Sequence, residues 1–232
     1  ANHETGVLQP VNDALELCLR YGTALHVDAT QAAGKVELDL GGVHGVVLSS
    51  HKIGGPGGVG ALVLPHGEPF AALLSGGSQE RGRRAGTVNT AGVVGFGVAC
   101  QLAMKELKQR AERWRHLMEN IQDLARRSGL RIPSGDAARV PNTVCLVAPG
   151  VRGETLVQAL DLRGICVSSG AACASGSLRA SPVLTAMGEA NPHGALRISL
   201  GPRSSDADVN ALIAALPEIL RALREPDPFD FT

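Results

Sequence analysis

Apolar residues recur with helical spacing over 11–21, where Val11, Ala14, Leu15, Leu17, Cys18 and Leu19 precede a stop at Gly22. A compact apolar strand is predicted at 24–27, ending on Asp28. A second at 45–48 ends on Ser49, and a third covers 59–64. Strands that alternate with helices point to a largely parallel sheet, while the short glycine-rich link between the second and third predicts one antiparallel pairing. From 92 to 128 the period turns helical. Leu107, Trp114, Leu117, Met118, Ile121, Leu124 and Ala125 form one stripe among charged residues, which reads as packing surface, and Gly129 supplies the stop. Beyond it the pattern predicts a strand at 143–147, a helix at 154–163, a strand at 165–168 and a helix at 182–187 capped by Ser181. A strand at 195–200 and a helix at 206–223 follow. The second half is α+β in style, so a domain change is expected inside the long helix, giving domains at 1–97 and 98–232.

Composition narrows the classes. A chain of 232 residues, 44% apolar, can bury one sizeable core or two smaller ones. Its 22 basic residues balance 22 acidic ones, so overall charge recruits neither nucleic acid nor an anionic membrane, and a small-molecule partner is expected. The five cysteines include no C-x-x-C pair and no paired metal-ligand spacing. With no secretory leader in the sequence, they point to free thiols, a cytoplasmic setting and no metal. No apolar run approaches the roughly 18 residues of a membrane helix. The chain opens with Ala on a dense polar cluster, "ANHETG", and is read as a fragment lacking an upstream part.

Candidate chemistry centres on "SSHKIGGP", residues 49–56, which follow the apolar run Val46-Val47-Leu48. Gly55 to Gly60 literally satisfies G-x-G-x-x-G, but that dinucleotide fingerprint has to open a helix, and Val59 to Leu64 reads as a strand. The run also fails the nucleotide-triphosphate loop pattern. Most lysines are merely solvated. Lys52, however, comes just after a strand at a sheet's carboxyl edge, where open α/β folds keep their ligand crevice, and Asp28 ends a neighbouring strand. A carboxylate able to hold a pyridinium nitrogen, near a lysine able to form a Schiff base, suggests pyridoxal phosphate.

The segments "HVDATQAAGK", "SSHKIGGPGGVGAL", "GGSQERGRRAGTVNTAG", "SSGAACASGS" and "ALRISLG" together resemble, in order and separation, the signatures of the cysteine desulfurases of the nitrogen-fixation and iron-sulfur-cluster group. These belong to the aminotransferase class V branch of pyridoxal-phosphate enzymes, and the likeness spans nearly the whole chain. The resemblance implies a fold-type-I α/β architecture with a mixed, mostly parallel sheet: a partial large domain followed by an α+β small domain. It implies that Lys52 carries pyridoxal 5'-phosphate, that Asp28 faces the pyridinium and that Gln31 reaches the ring's phenolic oxygen. Ser49 and His51 would bind the phosphate, His51 standing beside the reacting lysine. Thr87, in "RRAGT", resembles a threonine lent to the phosphate of the opposite subunit, which implies a homodimer.

Cys173 matches the family's sulfur-accepting nucleophile, and its neighbours from Ser168 to Ser177 are almost all tiny, which predicts a loop that cannot pack firmly. The other cysteines, Cys18, Cys100, Cys145 and Cys166, lie in apolar runs and read as small buried hydrophobes. Arg197 breaks the alternation of "ALRISLG". Snorkelling at a strand edge would explain it, as would the family's bidentate capture of the substrate carboxylate. Asn2-His3 stands where many relatives read Asn-Asn, so His3 is expected at the cofactor and Asn2 at the substrate. The family's glycine-threonine phosphate loop and ring-stacking histidine would lie upstream of residue 1. The implied reaction converts L-cysteine to L-alanine and passes sulfur through Cys173 to an acceptor protein such as an iron-sulfur scaffold, for iron-sulfur cluster or tRNA thiolation pathways. A selenocysteine lyase, another class V lyase and a non-catalytic dimerising remnant are the alternatives.

Overall fold

The computed structural model describes residues 1–170 and 180–224. The chain forms two compact units: Ala1 with Gln9–Leu107, and Asn2–Leu8 with Lys108–Thr232. The change of unit falls inside the long helix, ten residues beyond the expected boundary at 97, and Asn2–Leu8 belongs to the second unit.

In the first unit, helix α1 (Val11–Tyr21) ends where Gly22 turns left-handed at φ 61° and returns its amide to the last carbonyls. Strand β1 (His26–Asp28) runs parallel to β2 (Gly45–Ser49), which pairs antiparallel with β3 (Gly60–Val63), so β2 is central. This is the mixed pairing that the glycine link predicts. Ala29, Val43 and Val46 form a small core with Val11, Leu15, Leu25, Val27, Leu40 and Leu48 against it. A short segment, α2 (Gln79–Gly82), has no counterpart in the apolar pattern: Glu80 and Arg81 are left-handed at φ 51° and 61°, a conformation no periodicity announces.

Helix α3 (Thr90–Arg127) starts two residues earlier than the period implies, because the Asn89 side chain accepts the Gly92 amide at 3.0 Å and caps it. Its later turns bury Trp114, Leu117, Met118, Ile121, Leu124 and Ala125 as the stripe predicts. These pack with β4 (Thr143–Val147), α4 (Gly153–Asp161), β6 (Ala195–Ser199) and α6 (Asp206–Arg224) in the main core of the second unit. Its antiparallel sheet has the order β4-β6-β5, with β5 only Ser168–Ser169. The expected strand at 165–168 forms only at its end, where Ser168 and Ser169 pair with β6. The Ile165 amide donates to Leu160 O at 3.0 Å to close α4, with Gly164 left-handed at φ 74°, so it cannot join the ladder. Helix α5 (Pro182–Ala186) completes the unit. Cys145 is buried, but Cys18 and Cys100 are half-buried and Cys166 is exposed, so the expectation of four buried thiols holds for one. Among the described residues no helix is long and apolar enough to cross a membrane, and no cluster of His, Cys, Asp or Glu is placed to hold a metal.

Candidate functional site

The parallel β1-β2 pair places Asp28 and Ser49 at the carboxyl ends of adjacent strands, Asp28 opposite Val47 in the register. Each leads into a turn that carries further candidates. After β1, the Thr30 amide donates to the Asp28 carboxylate at 2.9 Å and starts a coil of turns that brings Gln31 and Lys35 together. Burial opposes charge on Asp28, but hydrogen bonds from the Thr30 hydroxyl and amide outweigh it and hold the carboxyl below its ordinary value. Asp28 is therefore a carboxylate at neutral pH.

After β2 the chain makes one 3₁₀ turn, Ser50–Ile53, which Gly54 closes in the left-handed region at φ 89°. Gly55 then donates its amide to Ser50 O at 3.0 Å. A Cβ on Gly55 would lie 2.3 Å from Ser50 Oγ and 2.9 Å from the Ala99 methyl, so only glycine lets this turn seat on α3. The physical purpose of the glycines after Lys52 is thus a tight, fixed turn. His51 and Lys52 project from it, both exposed, and the Ser49 hydroxyl and His51 Nδ1 share a hydrogen bond of 3.0 Å. The buried Ser50 hydroxyl has no hydrogen-bond partner among the described residues.

Lys35, which the sequence reading did not single out, is 9% exposed. Its Nζ donates to Gln31 O at 2.7 Å and Gln31 Oε1 at 3.1 Å. Burial, then the nearby Lys52 charge, lowers its pKa from the ordinary 10.5 to about 8. Gln31, Lys35 and Lys52 thus belong to one electrostatic neighbourhood. Thr87 is exposed, between α2 and α3. A hollow of about 650 Å³ in this unit is lined by β3 and residues such as Arg81, Arg84 and Asn89, without Asp28 or Lys52.

The second unit holds the remaining described candidates. Asn2 Oδ1 accepts the Glu4 amide at 2.9 Å, the Thr5 amide at 3.0 Å and the Thr5 hydroxyl at 3.2 Å, which commits that oxygen to the local turn. His3 is half-buried, and its carbonyl accepts from Arg197 Nη1 at 3.1 Å. Arg197 lies on β6 opposite both Cys145 and Ser168. β6 is the central strand, so snorkelling at an edge does not explain the arginine. Its Nε is buried and makes no hydrogen bond among the described residues. Glu4, also missed from sequence, is 1% exposed and accepts the Ser181 hydroxyl at 2.6 Å. No periodicity marks a buried carboxylate in a loop; only the density of polar residues in "NHET" hinted at a structured turn. Cys173 lies outside the described residues.

Residues 1–212 match the family described as Aminotransferase class-V. The chain is 44% identical over 233 residues to a cysteine desulfurase of Cereibacter sphaeroides, covering 99% of this chain and 60% of the relative. It is 39% identical over 236 residues to the cysteine desulfurase IscS of a Clostridium botulinum strain, covering 98% of this chain and 59% of that protein. A solved NifS-like protein superposes with TM-score 0.87 at 34% identity, over 96% of this chain and 60% of that one. The chain therefore spans about 60% of the length of the curated relatives it matches.

Proposed function

Since the chain belongs to the aminotransferase class-V family, we propose that this protein is a cysteine desulfurase that uses pyridoxal phosphate to take sulfur from L-cysteine. The observation that supports this most is the sheet edge itself: the carboxylate of Asp28 and the Ser49-His51 pair sit at adjacent strand ends, with Lys52 on the fixed turn beyond. The donor set suits the group. A carboxylate matches a protonated ring nitrogen, a hydroxyl and an imidazole match a phosphate, and an exposed amine matches an aldehyde. Bound there, the cofactor would supply an electron sink at the substrate's α-carbon.

The chain's own residues carry the remaining work. Asp28, ionised at neutral pH, would hold a pyridine nitrogen in its protonated form. Lys52 would hold the cofactor through its amine, and that amine, once free, would move the proton at the substrate's α-carbon. Ser49, His51 and the partner subunit's copy of Thr87 hold the phosphate, which makes the working form a homodimer. Gln31 would serve the ring oxygen; the family resemblance gives the same role to His3, and gives Arg197 and Asn2 to the substrate. Cys173, as thiolate, forms a bond to the substrate's sulfur as the carbon-sulfur bond breaks. The carbon keeps that electron pair, takes up a proton and leaves as alanine, and the persulfide passes its outer sulfur to an acceptor protein.

Borohydride reduction followed by peptide mapping tests the assignment on protein expressed from its complete reading frame. A pyridoxyl label on Lys52 is expected, and a label on any other lysine, or none, overturns it. Cys173→Ser should keep the cofactor's visible absorption and lose sulfide release from cysteine; retained release would remove Cys173 from the reaction.

A further inference from the structure

A buried lysine is costly, and an apolar side chain at position 35 would avoid the cost. Lys35 nevertheless places its Nζ against Gln31, 2.7 Å from the backbone oxygen and 3.1 Å from Oε1. An ammonium can only donate, so the carboxamide atom facing it has to be the oxygen. The amide nitrogen, a donor, is then the edge of Gln31 left over. Without Lys35 the carboxamide can rotate, and an acceptor can turn to where a donor is needed.

We infer that Lys35 is a positioning residue: its ammonium pins the Gln31 carboxamide oxygen so that the amide nitrogen is the group offered to the ring oxygen of a bound pyridoxal cofactor. The inference presupposes that cofactor at Lys52. Lys35 itself touches neither cofactor nor substrate in this role, and its whole effect is exerted through Gln31.

The test is a double-mutant cycle on protein from the complete reading frame, read by pyridoxal phosphate affinity of the apo form and by the visible absorption of the loaded form. Lys35→Met should weaken cofactor binding about tenfold, the loss of one well-aimed hydrogen bond, and shift the absorption maximum. In a Gln31→Leu background the same change should cost nothing further, because its effect runs through Gln31. A merely structural lysine would weaken both backgrounds equally, and that result overturns the inference. Wild-type affinity and spectrum in Lys35→Met overturn it as well. Should Lys35→Met not fold, Lys35→Gln, with and without Gln31→Leu, gives the same comparison. If the wild-type protein takes up no cofactor, the reading of the site fails with it; if Lys52 is labelled but Lys35→Met behaves as wild type, only this inference is lost.

Discussion

The depressed pKa of Lys35 has a consequence for stability whose sign is fixed. Between pH 8 and 10.5 the folded chain has released a proton that the unfolded chain keeps, so unfolding takes up protons and stability rises with pH through that window. Below pH 8 the burial penalty is fully present. Lys35→Met removes the titration, so its advantage at neutral pH should shrink, relative to wild type, by on the order of 3 kcal/mol by pH 10.5. Urea unfolding of both proteins across the window checks this, and parallel stability curves would refute it. The thiols make a second contrast. Burial chiefly, with the Glu4 charge adding to it, pushes Cys145 to about 12, whereas Cys166 is exposed. Thiolate is the reactive form. A maleimide at pH 7.5 should therefore label Cys166 in the native chain and leave Cys145 unmodified until denaturant is added, as peptide mass mapping would show. Arg197 was legible as an anomaly in an apolar strand, but its place on a central strand was not, because strand order is set by pairings distant in sequence.

Element-scale patterns carried most of what was readable. The α3 stripe, the β2-β3 glycine link and the Ser181-Pro182 start of α5 were each visible because one local rule decides each: helical period, loop length and cap chemistry. What stayed hidden depends on partners far away in the chain. Ser181 shows both sides. Its hydroxyl accepts the Leu184 amide at 3.1 Å, the capping role the sequence announces, and it also donates to Glu4 Oε2 at 2.6 Å, which the sequence does not. Ser181→Ala should therefore cost more than an ordinary cap, about 2–4 kcal/mol, since a buried carboxylate loses a donor as the helix loses its acceptor. Adding Glu4→Gln should recover part of that loss, because a neutral amide is cheaper to leave underbonded; chemical denaturation of the two single variants and the double variant measures it. Purely additive losses would separate the cap from the carboxylate. The Gly54-Gly55 turn offers a simpler check. Gly55→Ala forces a methyl against the Ser50 hydroxyl and Ala99, and should destabilise by about 1–3 kcal/mol.

At the scale of the whole chain the two units differ in how much apolar surface they remove from water. The second buries Leu117, Ile121, Leu146, Leu156, Leu160, Leu196 and Leu216 almost completely in one cluster. The first has Ala29, Val43 and Val46 at its centre, no fully buried residue in α1, and Leu17, Leu19, Tyr21, Val93, Val94 and Val98 largely exposed. Apolar burial is the main favourable term in folding, so local stability should divide along the same line. In the 232-residue chain on its own, hydrogen exchange should be slowest in β4, β6, α6 and the later turns of α3, and faster by orders of magnitude in β1, β2 and α1. The core residues test the cause. Leu216→Ala should lower the protection of β4, β6 and α6 together by about 2–5 kcal/mol, because they share its cluster, while exchange in β1 and β2 stays unchanged. If the strands beside Lys52 lost protection to the same extent, the chain would be unfolding as a single cooperative body, and the argument from separate cores would be wrong. Uniformly slow exchange in both units would reject it more directly, since that requires the first unit to draw stability from something other than the small core around Val46.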